Sequence, residues 1–524
     1  QAYTGATTID AGATLALFGA GSFASGNVAV AGTLDLQRMS DTLTLATLSG
    51  AGTITLGNRS LVINGNGGQS DFAGTVTGGT GGVTIGSGTQ RVTTNWTNSG
   101  TTRLLGDASL ILGNGGTGGS VGGPIVLEAG TLTVDRSDVA SINGLGGGGT
   151  FVQAGTGTTL LTNAYGFTGD AVIQSGTLSL NDSTSFSNVA SVSLTGAGTV
   201  LKVGQSGFGA TNIHNLSGVA GSTVLIGSKG LYVGSNASTM FAGTLDSLGG
   251  DLTLGGPETL TLTGWNALNR IDLNSGTLAL AGNGRLGDTA RLFLQGGTLD
   301  ASGVSTQMTQ FASLGGDRGI VALGGARLTL LDANDHFGGT ITGTGGLTIA
   351  GGNLMLTGAS SYSGDTVIDS GATLALRNTF DFNTGDVLTS GSIANSAVTV
   401  NGFFDLGNLV GNARVASLSG GGSVQLGFGD LDVGGDNADT SFSGAILGPG
   451  RVRKEGTGTW TLSGQNELSR LLVFDGTVAL AGDGTIGADA EVAIAFGSLD
   501  ISGITADSLA IGDLSDNGAV HLGG

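Results

Sequence analysis

Cysteine is absent from this chain, and proline occurs three times in 524 residues. Without cysteine there is no disulfide framework, no thiol nucleophile and no thiolate metal site. Stability has to come from packing and backbone hydrogen bonds. With almost no proline, the 105 glycines cannot signal a collagen triple helix, which needs glycine at every third place and abundant proline. Charge is scarce as well: 11% of residues are charged, 18 basic against 38 acidic. The net charge of −20 repels phosphate backbones and argues against nucleic-acid partners. The acids are scattered singly and make no acidic tail. No uninterrupted apolar run approaches the ~20 residues needed to span a bilayer, so no membrane insertion by this chain is expected. No basic segment followed by an apolar core opens the sequence, so no signal peptide is expected either.

What fills the chain is glycine, threonine, serine and asparagine alternating with leucine, valine and isoleucine. That pattern describes many short strands joined by tight turns, with enough aliphatic side chains to exclude disorder. One block recurs at an offset of two hundred residues. Thr259 to Ser305 reads TLTLTGWNALNRIDLNSGTLALAGNGRLGDTARLFLQGGTLDASGVS, and Thr459 to Thr505 reads TWTLSGQNELSRLLVFDGTVALAGDGTIGADAEVAIAFGSLDISGIT. They align without a gap, 21 of 47 positions being identical. Within the block, Thr259, Thr277 and Thr298 open similar strands 18 and 21 residues apart, as do Thr459, Thr477 and Ser498; Thr14 and Thr33 lie 19 apart.

About twenty residues with two or three short strands is the size of one coil of a parallel β-solenoid. Alternation sends Leu, Val or Ile inward and Thr, Ala or Asp outward, while Gly, Asn and Asp supply the corners. One coil cannot bury its apolar face alone. Stacked on a neighbour, it gains a hydrogen-bond ladder and a shared core. The expected fold is all-β, a single continuous parallel β-helix over residues 1–524. At ~4.8 Å per coil it would hold roughly 26 coils in a rod on the order of 125 Å long.

A cassette of about a hundred residues overlies the coil. Its opening reads LSGAGTITLG at Leu48 and returns at Leu216, Leu314 and Leu418. An aromatic corner follows as DFAGTV at Asp71, MFAGTL at Met240, HFGGTI at His336 and SFSGAI at Ser441. Phe72, Phe241, Phe337 and Phe442 hold equivalent places and read as repeated core fillers. The opening QAYTGATTIDAGATLAL matches Ser361 to Leu376, and the residues from Asp507, DSLAIGDLSDNGAVHLGG, resemble the start of another cassette. The chain is therefore read as part of a longer array.

The most specific stretch runs from Leu105 to Leu180. It contains LGNGGTGGSVGGPIVLEAGTLTVDRSD and then FVQAGTGTTLLTNAYGFTGDAVIQSGTLSL. That order, ending in threonine-rich strands, an Asn-Ala-Tyr corner and G-T-L-x-L, resembles the passenger-associated repeat of bacterial autotransporters. The similarity covers nearly the whole chain. It implies a passenger exported across the outer membrane of a Gram-negative bacterium and folded at the cell surface as a right-handed parallel β-helix. The family's membrane barrel is not recognised in this sequence.

Several motifs borrow their letters from the repeat. Gly282 to Gly287 spells GNGRLG after a strand, with Asp300 where a ribose-binding acid would stand. The following DTARLFLQGGTLD is too short and glycine-broken for the helix that a dinucleotide site needs. The string returns as GDGTIG at Gly482 with Asp500 in step, which marks a repeat corner. Gly118, Ser120 and Gly122 fit the hydrolase elbow G-x-S-x-G. A triad would need His214, His336 or His521, none of which shares a cassette position with another. All three are expected on solvent-facing loops and strand faces.

A polysaccharide-cleaving β-helix would gather carboxylates and basic residues on adjacent coils. Asp430, Asp432, Asp436 and Asp439 are the candidate acids, but no basic residue lies between Arg414 and Arg451 to assist them. They read as a solvated acidic corner, with loose calcium binding as the alternative. Asp10, Asp369 and Asp475 recur before glycine-threonine corners and read as turn residues. Trp460 aligns with Leu260 and is expected inside; Trp265 aligns with Gln465 and is expected at an exposed corner; for Trp96 neither reading wins. Thr42/Thr44, Thr53/Thr55 and Thr75/Thr77 do not recur on every coil, which weakens an ice-binding face.

No catalytic, cofactor-binding or metal-binding residue is assigned. The expected function is a non-enzymatic cell-surface rod acting in adhesion or self-association, including bacterial aggregation and biofilm. Its expected partners are neighbouring copies of itself and host or bacterial surface molecules. The alternatives are a passive stalk presenting a distal module and, less favoured, a polysaccharide-acting enzyme.

Overall fold

A computed structural model describes residues 5–23, 26–180, 186, 188–204, 209–380 and 387–522. The first four residues of the opening stretch and the last two of the closing one lie outside the described residues. The chain divides into two compact units, Gln1–Leu260 and Thr261–Gly524. Each is a parallel β-solenoid of roughly twenty residues per coil, and no helix occurs among the described residues.

Register between coils follows the threonine spacing. In the first unit Thr14 pairs with Thr33, Thr33 with Thr53 and Thr53 with Thr75, one coil further at each step. In the second, Thr459, Thr477, Ser498 and Ala519 form one row in the same way. The alternation works as the pleat requires. In Thr277–Gly282 the inward Leu278 and Leu280 are buried, and in its duplicate Thr477–Gly482 so are Val478 and Leu480. Even the irregularity is copied: the ladder slips between Ala279 and Ala281, and again between Ala479 and Ala481. One coil departs from the period. Thr366 pairs with Val398, a longer step along the chain, because the antiparallel hairpin Asn378–Phe380 with Val387–Ser390 is inserted there.

The four repeated phenylalanines are core fillers, as their cassette position implied. Phe72, Phe241, Phe337 and Phe442 are all fully buried. Each pairs with the glycine of the preceding cassette opening: Gly50, Gly218, Gly316 and Gly420 respectively. The glycine two residues after each ring is equally constrained. A Cβ at Gly74, Gly243, Gly339 or Gly444 would stand 2.5 to 2.8 Å from the tip of that phenyl ring. The F-x-G signature is thus a ring folded under its own chain, possible only where the following corner has no side chain.

Phe167-Thr-Gly169 and Tyr362-Ser-Gly364 fill the same role and escaped the cassette comparison; both rings are buried. Tyr362 brings a hydroxyl into the core, where it must be satisfied. It meets Thr366 Oγ1 at 2.6 Å, which meets Ser396 Oγ at 2.7 Å, which donates to the Gly364 carbonyl at 2.7 Å. Burial pushes the phenol up to about 12.

Gly444→Ala would press its Cβ against the Gly422 carbonyl of the preceding coil as well as the Phe442 ring tip, and is expected to lower stability by about 1–3 kcal/mol. Gly325→Ala, whose new Cβ would meet nothing closer than 3.9 Å, is expected to stay within about 0.5 kcal/mol. Urea midpoints of the two variants check the contrast.

Candidate interaction face

In the second unit one outward face is built by Ala413–Val415, Leu431–Val433, Ala445–Lys454, Glu467–Val473, Glu491–Ile494 and Asp513–Asp516. Cross-coil register lines its charges into two rows. Arg451, Arg470, Glu491 and Asp513 follow one another in the first, and Arg414, Asp432 and Arg453 in the second. Arg451 grips Asp430 with two bonds of 2.7 and 2.6 Å, and Arg470 meets Glu491 at 3.2 Å. Glu455 is held from both sides, by Arg414 at 3.1 Å and Arg453 at 3.3 Å.

This corrects the reading of Asp430 to Asp439 as an unassisted acidic corner. The absence of basic residues between Arg414 and Arg451 is true along the chain and irrelevant across it. A neighbour in space is one coil away, so Arg414, Arg451 and Arg453 all reach the cluster. The four carboxylates do not converge. Asp430 belongs to Arg451; Asp436 caps the Ala438 amide at 3.1 Å; Asp439 accepts from the Thr459 amide at 2.7 Å. Asp432 keeps one carboxylate oxygen buried without a hydrogen-bond partner. Burial raises its pKa, with Glu455 adding to the shift and Arg453 opposing it. Among the described residues, no group of three or more acidic or histidine side chains is arranged to hold a metal ion.

Lys454 is the surprise of this region. It stands in register between Val433 and Val473, an inward position, and is 1% exposed. Its Nζ donates to the carbonyls of Glu455 at 2.6 Å and Gly456 at 2.8 Å, closing the corner from inside. Gln153 does the same in the first unit, donating to the Gly155 carbonyl at 2.7 Å while Thr159 donates to its oxygen at 2.5 Å. Burial lowers the Lys454 pKa, opposed by Asp475, Asp436 and Asp439.

Exposed aromatic rings flank the charged rows. Arg453 lies 4.6 Å over the Phe474 ring, and Phe474 meets Phe496 edge-on at 5.7 Å. Phe474 is 38% exposed and Phe496 79%. In the first copy of the duplicated block a guanidinium–aromatic contact also forms, with Arg270 4.1 Å and Arg291 5.7 Å from the Phe293 ring. There Arg270 pairs with Asp272 at 2.8 Å and Arg291 with Asp335 at 3.0 Å. Exposed ion pairs contribute ~1 kcal/mol or less each, so these rows add little to stability.

The other motifs stay where the repeat places them. Gly282 and Gly482 end matching strands with φ of 59° and 60°. Asp300 and Asp500 each accept from the amide two residues on, Ser302 and Ser502, at 2.9 Å, as turn residues do. No helix follows either glycine string; strands Arg291–Leu294 and Glu491–Ile494 do. Ser120 donates to Asn95 Oδ1 at 2.9 Å.

The histidines stand on separate coils. His521 is exposed beside Asp500, as expected, but His336 and His214 are half-buried rather than fully solvent-facing. His336 meets Thr357 Oγ1 at 2.7 Å and His214 the Val189 carbonyl at 2.9 Å. Asp10 and Asp369 accept from the Ala13 and Ala372 amides through their backbone carbonyls, and Asp475 caps Gly476 at 2.8 Å. All three are turn residues.

Trp460 is buried and donates to the Leu418 carbonyl at 3.1 Å, while Trp265 is 52% exposed under Arg285. Trp96, undecided from sequence, is buried edge-on to Phe72 at 6.3 Å. Thr53/Thr55 lies directly beside Thr75/Thr77, two coils of threonine pairs.

Lys454→Met keeps the volume and removes the donor, leaving the Glu455 and Gly456 carbonyls without their buried partner. It is expected to cost about 1–3 kcal/mol at neutral pH. Because the folded pKa of Lys454 lies below its unfolded value, the unfolded chain binds more protons as pH rises through that window. Wild-type stability should therefore gain on the variant toward alkaline pH. Urea midpoints from neutral to alkaline pH measure both effects.

No protein-family model matches the chain. It is similar to the curated "Adhesin BmaC autotransporter" of Brucella suis biovar 1 (strain 1330), with 28% identity over 403 residues. The match covers 71% of this chain, which spans only 11% of the length of that relative. The cassettes resemble autotransporter passenger repeats, and the β-solenoid is the fold typical of passenger domains.

Proposed function

We propose that this chain is a passenger segment of an autotransporter, displayed at the bacterial surface and acting without catalysis in adhesion and self-association. The similarity to a protein named as an autotransporter adhesin, carried on a repeating solenoid, is the observation on which the reading rests. The physics fits. Outward rows of Thr and Ser, such as Thr14, Thr33, Thr53 and Thr75, repeat weak hydrogen-bonding groups coil after coil. Contacts that are weak singly add as avidity when they are repeated on one scaffold. A stalk role is the second reading, since a solenoid also serves as a spacer. Catalysis is favoured less: arginines do meet carboxylates on adjacent coils, but the four acids from Asp430 to Asp439 are spent on separate partners and do not converge. The depression beside Asp430, lined by Leu406, Leu409 and Leu426, holds no space for a water-sized group.

At a net charge of −20, copies repel one another when screening is weak. Light scattering of the purified chain is expected to rise as salt is raised from about 0.05 M to about 0.5 M. Flat or falling scattering contradicts an association limited by this net repulsion. Binding of the chain to cells separates adhesin from stalk: a stalk leaves cell binding unchanged when this segment is removed from its parent protein and replaced by a spacer of equal length.

A further inference from the structure

We propose that the outward face around Arg470 and Glu491 binds a second copy of this chain, antiparallel, about a two-fold axis lying between those two coils. The proposal rests on the self-association reading above and assigns it a surface. The row Arg451, Arg470, Glu491, Asp513 runs plus, plus, minus, minus on successive coils. A second copy turned about an axis parallel to the strands, midway between Arg470 and Glu491, presents minus, minus, plus, plus. Arg451 then faces Asp513 of the second copy, and Arg470 faces Glu491 of the second copy. Each pair occurs twice. Because both copies share one coil spacing of ~4.8 Å, the four contacts stay in step.

The aromatic rings obey the same axis. Phe474 follows strand Glu467–Val473 by one residue, and Phe496 follows Glu491–Ile494 by two, so they lie at the same end of the two strands flanking the axis. Phe474 of each copy meets Phe496 of the other, giving the face an apolar anchor beside a charged register. The four residues around the axis are two basic and two acidic, and Asp430, one coil earlier and bonded to Arg451, adds a single negative charge at the end of the row. A copy approaching in this orientation finds each of the four charges opposite one of the other sign.

Existing ion pairs do not block the contact. Arg451 uses Nε and Nη2 on Asp430, and Arg470 uses Nη2 on Glu491. A guanidinium has five N–H donors, so each retains others for the second copy. The first copy of the block lacks the pattern: Arg270, Arg291 and Ser313 form its row, and Asn274 and Gly296 stand where Phe474 and Phe496 do. Plus, plus, neutral is not its own complement. An isologous contact of this kind closes at two copies.

Sedimentation of the full 524-residue chain at about 0.15 M and about 0.5 M salt tests this. Wild type is expected to form a concentration-dependent dimer. Arg451→Glu with Arg470→Glu makes the row wholly acidic; Glu491→Lys with Asp513→Lys makes it wholly basic. Each variant alone should lose affinity roughly 100-fold or more, and an equimolar mixture of the two should restore the dimer because opposite rows meet. Phe496→Ala should weaken the wild-type dimer about tenfold. Restoration in the mixture also shows that both variants are folded. If wild type is monomeric at both salt concentrations, self-association and this face fall together. If wild type dimerises and both charge variants dimerise as well, the face is wrong and self-association stands. If neither variant dimerises and the mixture stays monomeric too, the antiparallel pairing is wrong.

Discussion

Parallel pairing between a strand and its equivalent one coil later is the constraint on which every other feature depends. It turns sequence distance into spatial contact at every coil. It also fixes which side chains share a row, inside and out. In an aliphatic interior that row is a column of Leu, Val and Ile, and its value comes from apolar area removed from water. On the outside the same register stacks Thr on Thr, or Arg on Asp. Corners are where the backbone must turn with its polar groups satisfied. There the chain uses Asp side chains from outside and, at Lys454 and Gln153, donors from within.

Much of this was legible in the sequence. The duplicated block, the threonine spacing and the alternation of Leu with Thr led to coils of the observed size. The cassette comparison placed four phenylalanines in the core because aromatic residues recurred in register with glycine. Trp460 and Trp265 fell on opposite sides of the surface as their aligned partners, Leu260 and Gln465, indicated.

What stayed hidden has one physical cause. Coil length varies, the step from Thr102 to Ile125 being longer than that from Thr459 to Thr477, so outward register cannot be counted from the sequence alone. Nothing in the sequence between Asp430 and Arg451 announces that the two meet. Nothing in the local sequence marks Lys454 as buried, because its inward direction depends on pairing with Val433 and Val473. Trp96 was undecidable for the same reason. Tyr362 and Phe167 had a usable signal, the aromatic-x-glycine triplet, but were not aligned with the other four. Function sits on this less legible layer, since rows of outward side chains decide what a solenoid face can bind.

The stacking claim can be tested without reference to binding, and the absence of native cysteine makes the test clean. Thr477 and Ser498 are register partners on adjacent coils, with their hydroxyls 2.9 Å apart. Asp489 is nearer to Thr477 in sequence than Ser498 is, but it precedes a strand of a different sheet. Paired cysteines at 477 and 498 should be joined rapidly by a thiol cross-linker roughly 5 Å long, a span set by the strand spacing, whereas cysteines at 477 and 489 should not. Equal rates for the two pairs, or faster joining of the sequence-nearer pair, would contradict the coil register and the faces built on it.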